Sequence, residues 1–191
     1  PDIALVDRGG RAHALAVAAA VRQAMADAGA TPEQVALVFV KSPVLPRRHL
    51  GALPPEIAAR AGSTPMARAA AALGAAIALG EVTDAQVTDA AIGRDPALHS
   101  RRAMCFSGTE LSNCEVILLA NVPGAGGELV LEAEPLADIL DAPALLRLAR
   151  RVGLAVVVVM TGAIMQLSTT TNSLWHWWLG WGLYGLAATA T

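Results

Sequence analysis

Apolar positions recur at intervals of three and four through residues 11–28. Leu15, Ala18, Val21, Met25 and Ala28 form one stripe, the spacing of an amphipathic helix that buries a single face. Gly29 is a fitting stop. "TPEQ" then predicts one short turn, with Thr31 at the cap, Pro32 at the first helical position and Gln34 at the capping-box position. The pattern changes at "VALVFVK", residues 35–41. Consecutive β-branched and apolar positions predict a strand covered on both faces, ended by Pro43 and Pro46. "STPMARAAAALGAAIALGEV" predicts a second helix, capped by Thr64 with Pro65 at its first position. Its Ala and Gly content suits close packing against a sheet. "TDAQVTDAAIG" predicts a third, shorter helix. Strands are predicted at residues 3–6, 100–105, 115–120 and 128–132, the last two split by the turn-forming "VPGAGG". "PLADILDAPALLRLARR" closes with a helix. The fold class that follows is α/β, with α+β-like features: one sheet of about four strands covered by helices, filling residues 1–151.

Composition adds a boundary. From Val152 to Thr191 there is no Asp, Glu, Lys or Arg. All four Trp (Trp175, Trp177, Trp178, Trp181) and the single Tyr, Tyr184, fall in that tail, and residues 1–151 hold neither type. "VGLAVVVVMTGAIMQL" gives 16 near-continuous apolar residues. Residues 168–170 extend the run toward the roughly 20 that a bilayer-spanning helix needs, and Ser and Thr are tolerated there. Arg147, Arg150 and Arg151 precede it as a cytoplasmic anchor would. The tail is therefore expected to be a separate unit, 152–191, built of hydrophobic helices with membrane contact. The competing readings are a hydrophobic hairpin packed on a soluble core and a gene-fusion or frameshift product.

Charge excludes other classes. The net charge of −2 leaves no basic field for nucleic acid. Cys105 and Cys114 have no zinc or redox spacing and are too few for a disulfide scaffold, so a reduced, cytoplasmic setting is expected for residues 1–151. No signal-peptide pattern is visible, and the chain opens on Pro1 rather than Met, as a processed or truncated start would. No cofactor or metal motif is present.

One count points to chemistry. Of 14 basic side chains only Lys41 is a lysine. Arg stays protonated in proteins, whereas Lys can lose its proton when desolvated and act as a base toward a hydroxyl. Ser107 stands before Gly108 ahead of a predicted strand, where a tight turn would present a nucleophile. Lys41 and Ser107 at neighbouring strand ends would form a Ser–Lys pair. The backbone N–H groups of Gly108 and Thr109 would hold a carbonyl oxygen. Arg68, on a helix of small residues, would bind an imide or carboxylate oxygen. The plainer alternatives are a Lys41 that snorkels to water, a Ser-Gly step serving only the turn, and an Arg68 that is a solvated helix charge.

Four blocks carry a resemblance: "VFVKSPVLP", "MARAAAALGAAIALGEV", "RRAMCFSGTELSNCEVILLAN" and "LADILDAPAL". In order and spacing, over residues 11–146, they resemble the middle domain of the ring-opening amidohydrolases, the cyanuric acid hydrolase and barbiturase family. The resemblance implies one repeat of a pseudo-threefold, three-domain architecture. Each repeat would give one Ser, one Lys and one Arg to a central site for a flat cyclic amide. It implies Lys41 as base, Ser107 as nucleophile and Arg68 as a substrate-binding residue in carbon–nitrogen bond hydrolysis. Two departures stand out. The family's nucleophile lies two residues before the Gly, and that position here is Phe106. The flanking domains are absent, and the family's continuation is replaced by the tail. The expectation is a truncated, inactive hydrolase unless copies assemble into a homo-oligomer. The alternative is a non-catalytic fusion of an amidohydrolase domain with a membrane segment.

Overall fold

The computed structural model describes residues 1–126, 130–138 and 140–152. It divides into two compact units, Pro1–Ala133 and Glu134–Thr191. The first unit carries helices α1 (Arg11–Ala28), α2 (Arg47–Leu50), α3 (Pro55–Ala61) and α4 (Thr64–Ala78), and strands β1 (Val35–Pro43), β2 (Ala103–Gly108) and β3 (Glu115–Ala120).

The sheet order is β2-β1-β3. β1 runs parallel to β2, the two joined by the crossover through α2, α3 and α4, and antiparallel to β3. α1 and α4 pack on each other and against the strands. They meet closely because Gly74 has no side chain. A Cβ there would overlap the Ala14 carbonyl oxygen and lie 2.8 Å from Val17 Cβ.

The core lies between these helices and one face of the sheet. Val38 and Val40 of β1 point into it with Val17, Ala18 and Val21 of α1 and Ala70, Ala71 and Leu73 of α4. Strand alternation sends the intervening residues the other way. Lys41 pairs with Phe106 across β1–β2 and with Glu115 across β1–β3, while Phe39 pairs with Met104 and Ile117. The second face is open and largely apolar: Met104 is 46% exposed, Phe106 49% and Ile117 62%.

Several expectations change. The sheet has three strands among the described residues rather than about four. Residues 3–6 are not a strand: a 3-10 turn covers Leu5–Asp7, and only Asp2 bridges to Asn113. Of the strand expected at 128–132, residues 128 and 129 lie outside the described set. Leu131 is held instead by the Asn121 side chain, which both donates and accepts. The third helix shrinks to a 3-10 turn, Asp84–Gln86, closed by a Thr83–Gln86 capping box. The cap of α4 is Ser63, which accepts from the Met66 N–H, and Thr64 is already helical. The stripe of α1 is rotated: His13, Ala14, Val17, Ala18, Val21 and Met25 are buried, and Ala28 is exposed. The strand expected at 100–105 begins at Ala103 and runs on through Gly108, so Ser107 and Gly108 end a strand instead of making a tight turn.

Two devices hold the ends of this unit. Gly29 adopts φ 62° and closes α1, as expected. Arg102 donates to the Pro32, Val35 and Leu79 carbonyls and to Glu81, tying the start of β2 to three other segments.

In the second unit the closing helix is shorter than expected, α5 (Ala142–Arg151). It begins where Asp141 accepts from the Ala144 N–H. Glu134 pairs with Arg147 and Arg151, one helical turn apart. The tail from residue 153, and with it the membrane expectation, lies outside the described residues. Among those described, no helix is long and apolar enough to cross a membrane. The expected boundary at 151/152 falls at the edge of the described set.

Candidate functional site

Lys41 and Ser107 do sit at the C-terminal ends of adjacent parallel strands, where sites in parallel sheets form. They do not face each other. Ser107 is level with Ser42, and Phe106 is level with Lys41. Paired residues of neighbouring strands share a face, and successive residues alternate. Ser107 therefore points to the core side with buried Ser42, and Lys41 to the open side with Phe106. The Ser107 hydroxyl donates to the Thr64 carbonyl at 3.1 Å, joining the end of β2 to the first turn of α4. The expected Ser107–Lys41 dyad is corrected on this ground: a displacement of one residue in a strand reverses the face.

Lys41 has a different partner. Its Nζ lies 2.5 Å from a carboxylate oxygen of Glu110. The hydrogen bond from Lys41 holds the Glu110 carboxyl below the usual carboxylate range. Glu110 lies over Gly108, where any Cβ would overlap its carboxylate. Glycine at 108 thus makes room for this ion pair rather than for a sharp turn. The Gly108 carbonyl accepts from the Val44 N–H. Gly108 belongs to β2, and Thr109 opens onto a cleft of about 300 Å³ that runs past Glu110 to Leu45, His49 and Arg8. Arg68 is exposed on α4, and no ion pair is formed by it among the described residues.

The core side holds a cluster that the sequence reading passed over. His13 Nε2 lies 3.2 Å from Ser42 Oγ and 3.2 Å from Cys114 Sγ. Its Nδ1 accepts from the Gly9 N–H at 3.0 Å. A backbone N–H can only donate, so Nδ1 carries the lone pair and Nε2 the proton. Burial, assisted by the nearby Arg8 charge, pushes the imidazole down to about 4, so it is neutral at pH 7. Its lone pair is occupied, and it cannot take a proton from Ser42 or Cys114. Burial also raises the Cys114 thiol. The cluster has the residue types of a nucleophile and base in a structural arrangement. Its signal was readable in part, since His13 stands four residues before Val17 on the buried stripe.

The chain matches the family model described as "Amidohydrolase ring-opening protein" over residues 1–173. It belongs to the ring-opening amidohydrolases. It is 41% identical over 146 residues to a cyanuric acid amidohydrolase of Methylobacterium sp. (strain 4-46), a match covering 74% of this chain and 40% of that protein. A cyclic amide hydrolase of Azorhizobium caulinodans is 37% identical over 160 residues, covering 81% of this chain and 44% of the relative. Among solved structures, the cyanuric acid hydrolase of A. caulinodans superposes with a TM-score of 0.74 at 34% identity, over 83% of this chain and 47% of that one. This ring-opening amidohydrolase chain spans less than half the length of each of these relatives.

Proposed function

We propose that the chain is one domain of a hydrolase that opens a cyclic amide, in which Lys41 meets the substrate and Ser107 does not. The observation that carries this reading is the placement of Lys41. It stands at the C-terminal end of β1, on the open sheet face, paired with Glu110 and level with Phe106. Relatives named as cyanuric acid and cyclic amide hydrolases support the substrate class. In such a reaction a hydroxyl oxygen attacks a ring carbonyl carbon, the ring C–N bond breaks, and the nitrogen takes a proton. Water then cleaves the acyl intermediate. In this domain the position level with Lys41 is a phenyl ring, so the attacking hydroxyl has to come from elsewhere. Arg68, exposed and unpaired among the described residues, is available to a substrate oxygen.

The open apolar face around Lys41 supports a site completed by further domains of the pseudo-threefold kind that the resemblance implies, or by further copies of this chain. Orientation by a complete site lowers a barrier by roughly 7–11 kcal/mol. The isolated chain is therefore expected to bind cyanuric or barbituric acid weakly and to turn over neither. Binding is measured by calorimetry, and ring opening by loss of ultraviolet absorbance. Lys41→Ala should weaken binding, and Ser107→Ala should leave it unchanged. Turnover that is abolished by Ser107→Ala would restore the Ser–Lys pair. Binding insensitive to Lys41→Ala would sink the reading and favour a non-catalytic fusion.

A further inference from the structure

Among the described residues of the first unit, Arg8 is the one whose charge is buried without a counter-charge while it lines an open cleft. It is 5% exposed. Its guanidinium donates one hydrogen bond among the described residues, Nη2 to the Ser112 carbonyl at 3.0 Å, and its Nε is buried with no acceptor. No carboxylate lies within ion-pair reach of it among the described residues. A buried cation in this state is costly, because burial removes water and supplies no anion in return. Burial accordingly lowers the Arg8 guanidinium from its ordinary range.

The rim of the cleft adds a second cation, Arg48. Arg48 and His49 stand on its rim, both exposed, with Arg48 Nε donating to His49 Nε2 at 3.0 Å. The single acid on the lining is Glu110, and its charge is already matched by Lys41. Thr109 and Ser112 add polar groups. The cleft thus carries an excess of positive charge, with one guanidinium fixed by the fold and a second that can swing in. The volume of about 300 Å³ admits a small molecule and little more.

We propose that this cleft is a binding site for a small oxyanion of the carboxylate or phosphate type, with Arg8 as the fixed clamp and Arg48 as the mobile one. Planar, forked guanidinium donors suit both anions. The site does not depend on the hydrolase reading, because none of its cationic groups is used there.

The full chain is titrated with sodium phosphate, sodium acetate and sodium chloride at matched ionic strength, by calorimetry and by thermal melting. Saturable binding of phosphate or acetate beyond the chloride response is expected, with a rise in melting midpoint. Preference for phosphate would assign a tetrahedral dianion, and preference for acetate a carboxylate. Arg48→Ala, on an exposed side chain, should weaken the anion about tenfold while Arg22→Ala, exposed on α1 outside the cleft, changes nothing. Arg8→Met should abolish binding and, if it folds, melt no lower than the wild type without anion. Identical responses to the three salts, or equal losses in the Arg48 and Arg22 variants, would overturn the proposal.

Discussion

His13 makes the stability of this chain depend on pH in a window where few other groups act. The imidazole is fully buried, and its folded value lies at about 4 against 6.5 when free. A depressed histidine binds fewer protons folded than unfolded, so protonation favours the unfolded chain. Its contribution is whole above pH 6.5 and falls as the pH drops toward 4. From pH 7.5 to pH 5 the loss works out at about 2 kcal/mol. The complete difference, at 1.36 kcal/mol per pH unit, is roughly 3 kcal/mol. The carboxylates held low in the fold (Glu33, Glu110, Glu134 and Asp141) lose their contribution only below their ordinary values, so the range above pH 5 isolates the histidine. Urea midpoints at pH 7.5, 6.5, 5.5 and 5.0 would measure it. His13→Gln keeps an acceptor for Gly9 and a donor toward Ser42 without titrating, and should flatten the curve. A wild-type midpoint constant from pH 7.5 to 5, or the same slope in the Gln variant, would refute the reasoning.

Arg102→Lys should destabilise the chain by about 2–3 kcal/mol, because one ammonium cannot serve three carbonyls and Glu81 together; urea unfolding at pH 7.5 checks this, and a loss under 0.5 kcal/mol, the ordinary surface value, would contradict it. Gly74→Ala should cost about 1–3 kcal/mol from overpacking against the Ala14 carbonyl, exceeding the roughly 1 kcal/mol gained in helix propensity. A raised melting midpoint would show that α1 and α4 can move apart at no cost.

The patterns of residues 11–28, 35–41, 64–78 and 115–120 were enough to place α1, β1, α4 and β3, because each is periodic or apolar over a long enough stretch to decide its own structure. The strand ends were less legible. β2 runs three residues past its expected end, since the parallel ladder with β1 continues through Ser42–Ser107 and Pro43–Gly108. That pairing is a long-range fact. The expected strand at residues 3–6 failed for the same reason in reverse: four apolar residues have no neighbour to extend, and the chain folds into a turn.

The site divides along the same line. The sequence singled out Lys41 by its rarity, and the block "CFSG" by its likeness to a family. It also located Phe106 where a nucleophile was expected. Which of Phe106 and Ser107 faces Lys41 depends on strand register, a quantity with a period of two that no local pattern specifies. The Lys41–Glu110 pair joins residues 69 positions apart, and Gly108 allows it by leaving space for a carboxylate. His13, Ser42 and Cys114 likewise come from a helix, a strand and a loop, and only packing shows that Nδ1 is consumed by Gly9. The sequence by itself determined the four longest-patterned elements, α1, β1, α4 and β3, the family and the candidate cation. Tertiary structure decided which side chains share a face, because burial and register depend on partners far along the chain.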